Sequence, residues 1–493
     1  MPRNPILAPR TRARRGRLVA ALRPSGAAAL ALLLVLALAS PASALEQQIS
    51  VSGNDSLGFS VAVQGDTLVL GTLQPNDVGV VSVYQRAGDS WEQTAKLTAS
   101  DSTPGDLFGA SVAIDGDTIL VGGPGATIGK NAHQGAVYSF SRTGPATRTE
   151  TAKLTVSDGA AFDELGASLA IGGDTIVAGA PLSTVGNNAR QGALYTFTRA
   201  GAAARTETAK LTASDGVAQA LLGSSVAIDG DTIVGGAPSA TVGANVQGAA
   251  YTFARTGATA RTETAELTSS HGQAGDLLAW SVAISGDTIV AGAPAATVGG
   301  VAKGAVYTFT RSGASARTET GTLSASDGSE KANTGFTVAI DDDTILAGAP
   351  TQTIGINLRQ GAAYTFARTG AEARRQTGEL SDADGAVNDL FGLSVALDSG
   401  TTIIGAPGRG EVVEGISEGL AVAAESSAAR KPAAGRALMR AVRRLSRTKS
   451  CSRFCWRKRT SVLAGWTFTS TSSGGNSRKS STTGKLVGGI TLR

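Results

Sequence analysis

Cysteine is almost missing from this chain. Of 493 residues only Cys451 and Cys455 carry a thiol, and the stretch 45–425 has none. A body of that size must be held by packing and hydrogen bonding rather than by disulfides. Two cysteines separated by three residues, with no histidine nearby, do not make a zinc site. Aromatic residues amount to 4% of the chain against 64 glycines, which excludes an aromatic-rich core and long helices and requires frequent turns. The only two histidines, His133 and His271, have no partner at triad or metal-ligand spacing. No nucleophile elbow, phosphate loop or H-E-x-x-H occurs. The chemistry of an enzyme is therefore not legible, and the chain reads as non-enzymatic. Acidic residues are absent from 1–44 and from 426–493, where there are 7 and 16 basic residues, while 45–425 carries 21 basic against 39 acidic. The formal +5 thus averages an acidic body of −18 with two basic ends, and a nucleic-acid partner is not expected for the body.

Seven arginines up to Arg23, the apolar run Ala27 to Ala39 and the sequence Ser40-Pro41-Ala42-Ser43-Ala44 form the three regions of a secretory signal peptide. Cleavage is expected after Ala44. The run is shorter than the ~20 residues that span a bilayer, and no later segment is long and apolar enough to do so. The expectation is a secreted, periplasmic or cell-surface protein with no transmembrane segment once 1–44 is removed. Arg14-Arg15 is followed by Gly16-Arg17-Leu18, a poor match to a twin-arginine export motif.

What the chain does have is an internal repeat. Gly-Ala-Pro or a variant recurs with Pro124, Pro181, Pro238, Pro294, Pro350 and Pro407, spaced 57, 57, 56, 56 and 57 residues, a period that determines the architecture. The unit from Ala213 to Leu267 contains Ser225-Val-Ala-Ile228, an Asp229-Gly230 turn predicted to be type I′ with positive φ at both residues, and Asp231 to Pro238. After about ten residues follow Gly248 to Arg255, with Tyr251 and Phe253 alternating with small or polar neighbours, and the polar stretch Arg261 to Leu267. Four antiparallel strands in a unit too small to bury a core alone describe the blade of a β-propeller. First strands beginning near Ser60, Ser111, Ser168, Ser225, Ser281, Thr337 and Ser394 predict an all-β, seven-bladed propeller over 45–425. The seventh unit has no obvious outer strand, so Leu45 to Ser52 is expected to complete it and close the ring. Gly419 to Glu425 is the candidate for its third strand.

Phe108-Gly109 with Gly122-Gly-Pro124, and Phe391-Gly392 with Gly405-Ala-Pro407, resemble FG-GAP repeats, the units of the seven-bladed propeller of integrin α chains. Other units relax the first half to Leu165-Gly166, Leu222-Gly223, Leu278-Ala279 and Thr334-Gly335. The resemblance spans roughly 50–410 and implies an adhesion or recognition module. Integrin-type repeats often carry a calcium loop between the first two strands. Here that place is a two-residue turn such as Asp115-Gly116-Asp117, too tight to wrap a cation, so no cofactor is expected and calcium is disfavoured. Asp341-Asp342-Asp343 and Asp382-Ala-Asp384-Gly385 are the nearest approaches to a cation site.

In such a blade the turns joining strands 1–2 and 3–4 share one face, and the longer 2–3 and inter-blade loops share the other. The long-loop face is the expected interaction surface. Its inter-blade loops supply Asp101, Asp106, Asp158, Asp163, Glu164, Asp215, Asp276, Asp327, Asp384 and Asp389. Its 2–3 loops supply the ligand-face candidates Asn131, His133, Asn187, Asn188, Arg190, Asn245, Lys303, Asn357 and Arg359. Gln134, Gln191, Gln247 and Gln360 recur and are expected to shape the loops. Arg199, Arg205, Arg255, Arg261, Arg311, Arg317, Arg368 and Arg374 flank the 3–4 turns, where Glu207, Glu263 or Glu319 could pair with them. The expected partner is an extracellular protein or surface glycan. A polysaccharide-binding or polysaccharide-processing propeller is the alternative, against which the scarcity of tryptophan in the body, Trp91 and Trp280 only, counts. The tail 426–493 reads two ways. It is a basic amphipathic segment around Leu438, Ala441, Val442 and Leu445, or the product of a reading frame shifted near 408–425. Disorder is expected in either case.

Overall fold

The computed structural model describes residues 47–50, 56–73, 78–142, 148–199, 206–255, 261–311, 317–369, 374–416, 460–463 and 466–469. The chain divides into two units, Met1–Ala429 and Arg430–Arg493. The described part of the second unit is one antiparallel pair, Thr460–Leu463 with Trp466–Thr469. The expected signal peptide, Arg205, Cys451 and Cys455, and the segment Gly419 to Glu425 lie outside the described residues, as do the side chains of Arg255 and Arg311.

Seven four-stranded antiparallel sheets make up the first unit. The fourth is typical: Ser225–Asp229, Thr232–Ala237, Ala249–Arg255 and Arg261–Leu267, paired in that order. The β-branched second strand is buried throughout, while the outer strand is only partly buried before Leu267 and keeps its charges at the edge, where charge discourages pairing with other chains. The first hairpin differs from expectation by one residue. Asp229 is still a ladder residue, opposite Thr232, so the turn is Gly230-Asp231. Of these two only Gly230 takes a positive φ, 54°, the arrangement that places glycine first in the turn. In the seventh blade Ser399 and Gly400 both have positive φ.

The core is not central but divided among the blade interfaces. Seven clusters of buried side chains occur, one for each neighbouring pair. Between the first and second blades Val69, Val81, Val83 and Leu97 meet Phe108, Ile119, Val121, Tyr138 and Phe140. Each blade thus offers a face of small and medium residues to a face carrying its Tyr and Phe, which is how units with few large side chains acquire buried area. The seventh cluster joins Ile403 and Val412 to Leu57, Leu68, Leu70, Tyr84 and Trp91, so the last blade packs on the first.

Near the axis a ring of hydrogen bonds explains the recurring glycines. The first-strand hydroxyl of each blade donates to a carbonyl of the next: Ser60 to Gly109, Ser111 to Gly166, Ser168 to Gly223, Ser225 to Ala279, Ser281 to Gly335, Thr337 to Gly392 and Ser394 to Gly58. The accepting glycines have φ near +90°, for example 89° at Gly166 and 90° at Gly392. The second-strand glycine of each blade, such as Gly122 or Gly292, lies against the same carbonyl so closely that a Cβ there would overlap it. The two recurring halves of the repeat therefore touch each other across the blade boundary.

The third strand of the seventh blade is Glu411–Ile416, not Gly419 to Glu425. The loop before it is shortened to a turn in which Arg409 N donates to Ala406 O and Gly410 N to Pro407 O, which brings Val412 and Val413 into the core. Its outer strand is Gln47–Ser50, with Gln47 opposite Glu414 and Ser50 opposite Glu411.

Candidate interaction face

The short-turn face is occupied by its own bonds. Turn amides donate to carboxylate or amide oxygens of the preceding blade: Gly116 N to Gln64 Oε1 (2.6 Å), Gly286 N to Asp229 Oδ2 (2.5 Å), Ser399 N to Asp341 Oδ2 (2.6 Å) and Gly65 N to Asp398 Oδ2 (2.7 Å). Where the third blade needs a tie, Arg199 reaches back to the carboxylate and carbonyl of Asp115. In the sixth, Arg368 donates to Ser285 O (2.8 Å) and to Asp342 O (2.9 Å). Glu207, Glu263 and Glu319 accept from the backbone amides of Ser157, Ser214 and Ser270 of the preceding blade, each at 2.8 Å, because the repeat sets each outer strand beside its neighbour's loop. The two nearest approaches to a cation site are similarly engaged. Asp341 caps Ser399, and Asp382 holds the Arg409 guanidinium at 2.9 Å. Among the described residues no three or more His, Cys, Asp or Glu side chains converge as metal ligands would.

On the long-loop face the candidates separate into two groups. Asn131, Asn188 and Asn357 donate to Gln134, Gln191 and Gln360 and to the carbonyls of Gly159, Gly216 and Gly385, at 2.8–3.1 Å. Their amides clamp each 2–3 loop to the following inter-blade loop. Lys303 stands where other blades have the loop glutamine and donates to Ala325 O at 2.7 Å, as Gln360 does to Asp382 O. The acids are likewise engaged. Asp106, Asp163, Asp276 and Asp389 are buried and accept the backbone amides of Thr103, Ala160, Gln273 and Ala386. Burial disfavours the charge of Asp101 and Asp158, but hydrogen bonds from Lys153 and Tyr138, and from Lys210 and Tyr195, outweigh it and hold both carboxyls below their usual range.

His133, Asn187, Arg190, Asn245 and Arg359 are exposed. His133, Arg190 and Arg359 share one position, with φ of 52°, 55° and 56°. The His133 ring stacks on Phe162 at 5.4 Å and 12° between planes. Phe162 is 58% exposed and has a φ of 68°, an uncommon conformation for a bulky residue; in other blades the position is Gly105, Gln219, Gly275, Lys331 or Asn388, each with positive φ. Beside them Glu164 has its carboxyl pushed up by burial, against the pull of His133 and Arg190.

The residues that sequence reasoning missed are apolar. Among the described residues ten large apolar side chains are exposed: Phe59, Leu107, Phe162, Val217, Val246, Trp280, Val301, Ile356, Leu358 and Val387. Nine lie in the long loops or at the strand ends that meet them, and Phe59 lies at a bulge within the first strand Ser56–Gln64. Around the axis the position just before each first-strand hydroxyl is Phe59, Ala110, Ala167, Ser224, Trp280, Phe336 and Leu393. Large side chains thus fill the contiguous arc of blades 5, 6, 7 and 1, and small ones the rest. Trp280 and Phe336 meet there at 5.5 Å. Aligning that one column of the repeat would have shown the asymmetry.

No helix among the described residues is long and apolar enough to cross a membrane. A search of curated proteins finds no matching relative. The family model described as FG-GAP repeat matches six segments, 91–140, 149–197, 206–253, 262–309, 318–366 and 375–421. Each runs from the outer strand of one blade to the third strand of the next, and together they cover more than half of the sequence. The chain belongs to the FG-GAP repeat family.

Proposed function

We propose that this protein is an exported, non-enzymatic recognition module that binds an extracellular protein through the long-loop face of its propeller. The observation that carries the reading is the one-sided distribution of exposed apolar side chains. Soluble surfaces scatter such residues singly, and a face that gathers nearly all of them is suited to an interface. Aromatic anchors such as Trp280 and Phe162 are the residue types that dominate binding energy in interfaces. The opposite face uses its turns for inter-blade bonds and offers little that is uncommitted. A surface glycan is the second reading, supported by the stacked His133 and Phe162 rings, which offer a flat aromatic surface beside the Arg190 guanidinium.

The test exposes the purified mature chain in parallel to a panel of extracellular proteins and to a glycan array. The expected result is binding to a protein, weakened at least tenfold by Trp280→Ala or Ile356→Asp and unchanged by Asp66→Asn on the other face. Binding to glycans with no protein partner would reverse the order of the two readings. Binding indifferent to the long-loop substitutions would sink both.

A further inference from the structure

Two loops run side by side where the second blade meets the third. Phe162 N donates to Ala132 O at 2.9 Å, Glu164 N to His133 O at 3.1 Å and Leu165 N to Gln134 O at 2.9 Å. The boundary between the third and fourth blades repeats this backbone, with Gln219 N on Ala189 O and Leu221 N on Arg190 O, so the scaffold belongs to the repeat. Its side chains do not. The place of Phe162 is taken elsewhere by Gly105, Gln219, Gly275, Lys331 or Asn388, and that of Glu164 by Leu107, Leu221, Leu277, Asn333 or Leu390. Both exchanges work against stability. A bulky ring is uncommon at a φ of 68°, and a half-buried carboxyl is costlier than the leucine it replaces.

Groups of different chemistry converge at this boundary. The His133 ring lies on Phe162 with centroids 5.4 Å apart and planes 12° from parallel, and Phe162 still keeps 58% of its surface exposed. His133 of the second blade and Arg190 of the third act electrostatically on Glu164, and among the described residues no hydrogen bond reaches its carboxyl. Arg190 is exposed, as is Lys130 in the same loop as His133. The 2–3 loops 127–133 and 184–190 contain no acidic residue, although the body as a whole is acidic. An apolar ring surface, an acceptor without a partner and exposed cations thus lie together on the long-loop face.

We infer that this cluster is a subsite for a carboxylated pyranose, a sugar of the uronic-acid class. A pyranose has an apolar C–H face and a rim of hydroxyls, and these two parts call for different partners. The C–H face lies on the Phe162 ring, which offers contact area at little entropic cost. The Glu164 carboxyl accepts from sugar hydroxyls, which offsets the cost of its partial burial. The Arg190 guanidinium pairs with the sugar carboxylate, whose two oxygens match its fork of N–H groups. Arg190 and Lys130 together outweigh the single Glu164 carboxylate, so the acidic sugar is preferred to its neutral counterpart. The subsite rests on the glycan reading of this face and leaves Trp280 to a protein partner.

The methyl glycosides of glucuronic and galacturonic acid, those of glucose and galactose, and sodium acetate are each titrated into the purified mature chain, with binding followed by ligand-observed NMR. The expected result is binding of at least one uronide in preference to its neutral counterpart and to acetate. Arg190→Ala should weaken it roughly tenfold and erase the preference for the acid. Phe162→Gln and Glu164→Leu, which install the residues of the fourth blade, should each remove uronide binding without lowering the thermal midpoint, and Trp280→Ala should leave it unchanged. If one of these variants does not fold, the other and Arg190→Ala decide. No uronide binding overturns the subsite, as does equal binding of acetate, which would mean an anion contact alone, or of the neutral glycosides. Uronide binding that survives Phe162→Gln and Arg190→Ala also overturns it while leaving the glycan reading in place, whereas a wild-type chain that binds nothing on a glycan array removes both.

Discussion

Ser394, at the start of the seventh blade, donates its hydroxyl to the carbonyl oxygen of Gly58 in the first, 2.6 Å away and 336 positions earlier in the chain. Six other hydroxyls make the same bond to the next blade, but this one joins the two ends of the array. Ser394→Ala leaves the Gly58 carbonyl buried and unpaired. The expected cost is about 1–2 kcal/mol, read as a lower urea midpoint with an unchanged m-value. A fall in m would mean instead that the ring opens.

The glycine facing that ring is a matter of space. In the fifth blade a Cβ on Gly292 would overlap the carbonyl oxygen of Gly335, and backbone cannot rotate away as a side chain can. Gly292→Ala is expected to destabilise by about 2–4 kcal/mol, whereas Gly299→Ala, at a turn with open space but a φ of 62°, should cost about 1 kcal/mol. Equal losses at the two positions in thermal unfolding would refute the close-approach argument.

Asn188 and Arg190 are two residues apart in one loop and have different jobs. Asn188 bonds Gln191 and Gly216, while Arg190 is exposed. Asn188→Ala should lower stability by about 1–2 kcal/mol. Arg190→Ala should change stability by less than about 0.5 kcal/mol and show its effect in binding alone. Chemical denaturation of the two variants side by side decides the matter.

Glu379 makes stability depend on pH. Burial first, and Asp327 second, raise its carboxyl from 4.5 to about 7. The folded chain therefore holds a proton that the unfolded chain releases near pH 4.5. Stability contributed by this group is fully present below that pH and is lost as pH rises toward 7. Glu379→Lys should flatten the profile between pH 5 and 7 and raise the midpoint at neutral pH. A wild-type profile that rises across this window would contradict the assignment.

The repeat made the architecture readable before any coordinates. A proline every 56 or 57 residues, Tyr251 and Phe253 alternating with small neighbours, and first strands starting at Ser111 or Ser225 located the blades because each is an independent copy of one local pattern. The seventh blade was less legible. Its 2–3 loop is cut short, so the spacing rule pointed to Gly419 to Glu425 while the burial of Val412 and Val413 selects Glu411–Ile416. The face was legible and the residues on it only in part. Polar loop residues attract notice in a sequence, yet Asn131, Asn188 and Asn357 are engaged in holding loops together. The exposed apolar residues look like core until burial is known.

Local sequence alone determined strand order within a blade, the number of blades and the two kinds of loop, since these follow from period, alternation and turn chemistry. Only the tertiary structure decided what each blade meets. That Glu379 faces Asp327, which glycine touches which carbonyl, and that Trp280 and Phe336 share one arc of the axis are relations between residues about 40 or more positions apart. Burial and charge act through distance in space, and the ring turns such separations into contact.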